Sequence, residues 1–275
     1  MSAAPDWVEI RRGNAPVIVA MPHTGIEIPV DLLSRYVSPW LARKDTDWWL
    51  EQLYDFTIGL DITVVRTRIS RSVIDANRDP SGASLYPGQT TTALCPVTTF
   101  DGEDLYKPSR EPEDAEIAIR RQRYFDPYHQ ALEGEIARLR RLHPRIVVYD
   151  AHSIRSTIPR LFDGALPNLN IGTNSGAACA PELAVAVAAR CAGSAFSHVV
   201  DGRFKGGWTT RHLGNPAGGV HAIQMELACR GYMAEPEARV SEANWPTAYD
   251  FAYAAPLRTI LREILVACIA FALVS

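Results

Sequence analysis

Ile146-Val147-Val148-Tyr149-Asp150-Ala151-His152-Ser153-Ile154-Arg155 is the stretch that decides the fold. Four β-prone residues run into a polar cluster with no turn signal between them. Short apolar runs of this kind mark strands buried on both faces, the habit of parallel sheets. A strand is predicted over 146–150, and it presents Asp150, His152 and Arg155 beyond its carboxyl end. Open α/β sheets bind their ligands there. Two other stretches share the pattern: Val17-Ile18-Val19-Ala20-Met21 leads to Pro22-His23-Thr24-Gly25, and Val220-His221-Ala222-Ile223-Gln224-Met225 leads to Glu226. Three apolar strands thus deliver His23, His152 and Glu226. Their convergence on one metal site is the central expectation.

Outward from these strands, elements alternate. Residues 1–15 read as an opening segment. Asp45-Thr46-Asp47 precedes a helical apolar face over 48–56, where either aspartate suits an amino-cap. A strand over 62–65 is followed by Arg66, Arg68, Arg71 and Arg78 among apolar residues, as on a strand facing an anion. Residues 80–112 are broken by Pro and Gly, but Leu85, Tyr86, Leu94, Phe100, Leu105 and Tyr106 favour an ordered loop wall. The clearest helix spans 113–142, bent at Pro127. A short strand near 170–172, a helix over 182–191 opened by Pro181, a strand over 196–200 and a glycine-rich basic loop over 201–212 follow. A helical tail covers 247–273, broken or kinked at Pro256. Strands alternating with helices argue for one α/β domain over 1–275, with a mixed, mainly parallel sheet flanked by helices.

The chain of 275 residues is 47% apolar and 21% charged, enough for a substantial core. Its net charge of −3, with no Lys/Arg block, excludes a nucleic-acid footprint. Five scattered cysteines form no C-x-x-C pair, which argues against a disulfide framework or a cysteine zinc site. Residues 1–6 lack the pattern of a signal peptide. The apolar run over 264–274 is about half of the ~20 residues that span a bilayer. A cytoplasmic protein without membrane or nucleic-acid partners is therefore expected, and no feature fixes an oligomeric state.

Amide hydrolysis at neutral pH needs an activated nucleophile and a stabilised oxyanion. A bound Zn²⁺ supplies both. Catalytic zinc usually has three His, Asp or Glu ligands and one open position, with a carboxylate off the metal as proton acceptor. His23 and His152 are two candidates for ligands. Asp47 or Asp45 is the third, with Glu27 a further candidate. Glu226 is expensive to bury unless paired or functional. Serine chemistry lacks support, because no G-x-S-x-G surrounds Ser153. Cys95, followed by Pro96, has no helix amino-terminus nearby to activate it.

Longer motifs add a resemblance. Met21-Pro22-His23-Thr24-Gly25, Asp45-Thr46-Asp47-Trp48, Asp75-Ala76-Asn77-Arg78 and Leu85-Tyr86-Pro87-Gly88 stand in the first half. Tyr149-Asp150-Ala151-His152-Ser153-Ile154-Arg155, Asn174-Ser175-Gly176, the 201–208 glycine-rich loop and Gln224-Met225-Glu226-Leu227 stand in the second. Together, from about 17 to 250, they resemble the N-formylglutamate deformylase family. The resemblance implies a Zn-dependent exopeptidase-like (phosphorylase/hydrolase-like) α/β fold, distantly related to zinc carboxypeptidases. It implies zinc, or another divalent metal, and hydrolysis of N-formyl-L-glutamate to glutamate and formate in histidine breakdown. It also implies His23, His152 and Asp47 as ligands, Glu226 as general base, and Asn77-Arg78 as a carboxylate-binding pair. Zinc carboxypeptidases carry glutamate three residues after the first histidine, where this chain has Ile26, so Asp45 and Glu27 remain alternatives for the third ligand. Asp201 replaces the asparagine expected at the head of the glycine-rich loop.

The residues support such a substrate independently. N-formylglutamate is a small dianion and needs two cationic clamps, for which Arg is the best fork. Arg78 suits one carboxylate, and Arg155, Arg203, Lys205 or Arg211 the other, with Arg71 a candidate for the formyl oxygen. Two alternatives stand beside this reading: a metal-dependent deacylase of another N-acyl acidic amino acid, and a non-catalytic binding protein on the same scaffold.

Overall fold

The computed structural model describes residues 4–85, 88 and 91–274. Tyr86 and Pro87, part of the expected loop wall and of one motif, lie outside the described residues. The strands are β1 (Val8–Arg11), β2 (Val17–Met21), β3 (Thr63–Thr67), β4 (Ile146–Ile154), β5 (Leu169–Gly172), β6 (His198–Val200) and β7 (Val220–Ala228). They form one sheet in the order β1-β3-β2-β4-β7-β5-β6. β3, β2, β4 and β7 run parallel. β1 pairs antiparallel with β3, β5 antiparallel with β7, and β6 runs parallel to β5. The sheet is therefore mixed with a parallel centre, as the apolar runs require.

The helices are α1 (Val30–Leu33), α2 (Leu50–Leu53), α3 (Asp114–Arg120), α4 (Asp126–Arg140), α5 (Pro181–Ala192), α6 (Trp208–Leu213) and α7 (Phe251–Leu273). Two layers cover the sheet. Val147, Tyr149 and Ala151 of β4 pack with Ile223, Met225 and Leu227 of β7 against α5 and α7. Ile146, Val148 and Ala222 pack on the opposite face against Tyr128, Leu132 and Leu139 of α4. Alternate residues of a strand face opposite sides. Asp150, His152, Gln224 and Glu226 therefore continue the α4 face, where helix cover stops and a cleft begins.

Both central strands outrun the sequence reading. β4 reaches Ile154 and β7 reaches Ala228, so His152 and Glu226 lie within strands rather than beyond them. The opposite face stays apolar or small at Ala151 and Ser153, and its packing extends the ladder. The opening segment contains β1, where the sequence reading placed no strand. The helix expected over 48–56 shrinks to α2 and a 3₁₀ turn over Asp55–Leu60, because Trp49 adopts φ 64°. Neither aspartate caps it: α2 has no side-chain cap. The long helix is interrupted by a π-helical turn over Arg121–Phe125, which ends two residues ahead of the expected bend at Pro127. A proline ring collides with the carbonyl four residues back, here Arg123, and the widened turn makes room. α7 begins at the Asp250 cap, whose carboxylate accepts from the N–H groups of Ala252 and Tyr253, and runs unbroken through Pro256. No helix among the described residues is long and apolar enough to cross a membrane.

Candidate active site

The site lies at the carboxyl ends of β2, β4 and β7. His23 follows β2 in a loop that lies against the chain beyond β3. A Cβ on Gly25 would stand 2.2 Å from the Ile69 carbonyl oxygen, so only glycine permits that approach. The Asp47 N–H donates to the His23 carbonyl (3.0 Å), which ties the Asp47 loop to the His23 loop. His152 is opposite Glu226 in the β4–β7 ladder.

Three donor atoms converge. His23 Nδ1 and His152 Nδ1 are 3.1 Å apart. Asp47 Oδ2 lies 3.2 Å from His152 Nδ1 and 3.8 Å from His23 Nδ1. Among the described residues this is the group of three that could hold one ion. A carboxylate also stands on the far side of each ring, and Asn77 Nδ2 lies 2.8 Å from His152 Nε2. His23 Nε2 donates to Asp75 Oδ1 (2.6 Å), and His152 Nε2 donates to Asp150 Oδ1 (2.9 Å). On the near side, the Nδ1 of each ring would turn a lone pair to a bound cation. Three such atoms facing one point call for positive charge between them, from a proton or from a cation. Ligands at about 2.0–2.1 Å around tetrahedral zinc are roughly 3.3 Å from each other, close to the separations found. The donor set fits a zinc-like divalent ion, and the carboxylates behind the rings are the usual partners of metal-bound imidazoles.

Without an ion, the cluster draws a proton to His152 instead. Burial opposes protonation of His152, but Asp150, Asp47 and Glu226 around it outweigh burial and raise its pKa well above the ordinary value. Burial, then Arg71, lowers that of His23 against the pull of Asp75. Burial would raise the Asp75 carboxyl, yet His23, Arg71 and Arg78 hold it well below the usual carboxylate range. Arg71 donates to Asp75 (2.9 Å) and Asp47 (3.4 Å) and stacks on Phe100, 4.8 Å from the ring centre. Burial, the largest influence, pushes the Glu226 carboxyl up to about 8, with His152 opposing.

A cleft of about 590 Å³, its open mouth included, is lined by His23, His152, Glu226, Arg71, Arg78 and Arg203 among others. Asn77 also lines it, but both ends of its amide are engaged: Oδ1 accepts from Thr209 N (2.7 Å) and Nδ2 donates to Asp150 Oδ2 (3.2 Å). The structure does not bring every expected residue here. Arg155, Lys205 and Arg211 are not among the cleft-lining residues. Arg155 instead pairs with Asp101 (2.7 Å) and Asp45 (3.6 Å), because β4 runs past His152 and carries it to the loop over 99–103. Arg211 Nε donates to the Gly206 carbonyl (2.8 Å). Asp45 accepts from Phe100 N (2.6 Å), and Glu27 pairs with Arg68 (3.0 Å), so neither joins the donor cluster. Arg66 and Arg68 form an exposed ionic edge with Glu9 and Glu27 rather than an anion site. Asp201 has φ 49°, a conformation Asp tolerates almost as well as Asn, and both its carboxylate oxygens accept from Thr173. Asp75 and Gln224 were not singled out from sequence. Their common signal is a polar side chain inside an apolar run.

An α/β sheet whose parallel strands end in a His-His-Asp cluster beside a buried glutamate is the arrangement of an amide hydrolase with a candidate metal centre. The chain belongs to the N-formylglutamate amidohydrolase family, whose model matches residues 15–233. It is 41% identical over 265 residues to N-formylglutamate deformylase of Pseudomonas putida, covering 96% of each chain. It is 40% identical, with the same coverage, to that of Pseudomonas aeruginosa. In fold it is similar to N-formylglutamate amidohydrolase from Ralstonia eutropha JMP134 (TM-score 0.76, 20% identity, 96% of both chains). A gene product from Agrobacterium tumefaciens is also similar (TM-score 0.70, 17% identity, 97% of this chain and 96% of that one).

Proposed function

We propose that the chain hydrolyses N-formyl-L-glutamate to L-glutamate and formate with a divalent ion, zinc by preference, held by His23 Nδ1, His152 Nδ1 and Asp47 Oδ2. The convergence of those three lone pairs beside Glu226 carries the reading. A bound cation supplies Lewis acidity for the water nucleophile and the amide carbonyl. Glu226 takes the proton of the attacking water and delivers it to the leaving amine nitrogen. Burial raises its carboxyl above the usual range, and a cation bound beside it would draw that value back down, so that it could both take and return a proton. Arg71, beside the Asp47 carboxylate, provides positive charge where the tetrahedral oxyanion develops. Arg78 and Arg203 both line the cleft, and we assign the substrate carboxylates to their guanidinium groups. Asp75 and Asp150 orient the imidazoles, and Asn77 braces Asp150. We place the reaction in the cytoplasm, as the closing step of a route of histidine breakdown.

The test is formate release from N-formyl-L-glutamate by the purified chain, with metal content measured alongside. Release should stop on chelation and return with Zn²⁺. Full metal occupancy without formate release would refute the proposal.

A further inference from the structure

Gln224 lies two residues before Glu226 on β7 and is 3% exposed. Its amide has one admissible orientation. The backbone N–H of Gly207 lies 2.7 Å from Oε1, and a backbone N–H can only donate, so the carbonyl end of the amide faces it. The NH₂ end then faces Glu226, with Nε2 3.3 Å from Oε2. We propose that Gln224 is a positioning residue for the general base: its amide N–H holds the Glu226 carboxylate at the cleft, and Gly207 locks that amide against flipping. This rests on the reading of Glu226 as base.

The geometry gives the lock its stiffness. Gly207 begins α6 and lies so close to Asn77 that a Cβ would come within 2.3 Å of Nδ2. Trp208 N and Thr209 N both donate to Asn77 (3.2 and 2.7 Å). The lock is therefore anchored to the same Asn77 that braces Asp150 behind His152. A glutamate side chain has three rotatable bonds and, without a donor, spreads over several rotamers. Gln224 selects one of them. The glycine-rich loop that carries Arg203 ends at the same lock, so a purely structural role, tethering that loop to β7, is the competing account.

Gln224→Met separates the two, because it keeps the length of the side chain and removes donor and acceptor together. A misplacement of about 1 Å near reacting atoms costs on the order of 10²-fold. Gln224→Met should therefore lower kcat by roughly 30- to 100-fold, with KM for N-formyl-L-glutamate within about threefold and metal content unchanged. In a Glu226→Gln background, where no base is left to position, it should lower the residual rate no further. A kcat near wild type, a loss carried by KM, or an undiminished loss in the Glu226→Gln background would overturn the proposal. Gln224→Asn keeps the amide but withdraws it by about 1.5 Å; it is the fold-conserving check and should show the same loss in kcat. A wild-type chain that releases no formate would instead refute the proposed activity.

Discussion

His129 should cost the protein stability in acid, and substitution by Gln should remove that part of the loss. Nε2 of His129 donates to the Ala76 carbonyl (2.8 Å), just beneath the Asp75–Arg78 turn that supports the site. Nδ1 is buried with no partner among the described residues. A second proton would place an unpaired N–H and a full charge in that environment. Burial, the dominant cause, lowers the pKa from 6.5 to about 4, although the Ala76 bond opposes it. Since the folded pKa lies below the unfolded one, the unfolded chain binds more protons between these values. Stability is therefore unaffected above pH 6.5, falls as pH drops towards 4, and levels off below that. Each pKa unit is worth 1.36 kcal/mol, so the full loss is about 3 kcal/mol, and about 2 kcal/mol is reached at pH 5. Gln places an amide N–H near the position of Nε2 and does not titrate. Urea unfolding of wild type and His129→Gln at pH 8 and pH 5 reads the difference directly, because contributions of all other groups cancel between the two proteins. The gap between them should close or reverse by about 2 kcal/mol on going to pH 5. A gap independent of pH would show that His129 is not held neutral by burial.

Glu226→Gln should retain stoichiometric metal while formate release falls about 10²- to 10⁴-fold, measured by steady-state kinetics with metal analysis. His152→Ala should lose the metal itself, and full occupancy in that variant would contradict its assignment as a ligand. Asp150→Asn should weaken metal affinity about 10- to 100-fold in chelator competition, because a neutral amide polarises the His152 ring less than a carboxylate. Phe100 and Arg71 form part of a wall shared by the cleft and a smaller cavity behind it, lined by Leu41, Ala42 and Leu105. Phe100→Ala should join the two and raise the rate on N-acetyl- relative to N-formyl-L-glutamate by about tenfold or more, the scale on which a hydrophobic pocket discriminates one methyl group; an unchanged ratio would place the acyl group elsewhere.

The residues legible in the sequence were polar groups at the expected carboxyl end of an apolar strand. His152 and Glu226 are such residues, and a lone buried ionisable side chain is costly enough to be a signal by itself. His23 was legible from its place directly after the Val17–Met21 run. Asp47 could not be told from Asp45, because two aspartates two residues apart share every local property; only the fold sends one to the imidazoles and the other to Phe100 N. Arg155 was misplaced for a related reason. The end of a strand in sequence is set by local propensity, but the end of β4 is set by its pairing with β7, and four more residues of pairing carry Arg155 away from the cleft. The α2 region failed at a single residue, since the left-handed turn at Trp49 has no sequence cue in a bulky aromatic. The carboxylates behind the imidazoles lie 52 residues from their ring in one pair and 2 in the other, so no motif spacing joins them.

The pairing of β4 with β7 has an effect on assembly as well as on chemistry. Asp150 stands opposite Gln224 and His152 opposite Glu226, all on one face of the ladder. Slippage of either strand by one position would turn its two polar side chains into the oily layer beneath α5 and α7, where nothing could solvate them. Two uniformly apolar strands would slide past each other at little cost. The groups proposed to do the chemistry are thus also the notches that index the sheet, and substituting them with apolar residues should erode the uniqueness of the fold before it erodes its stability.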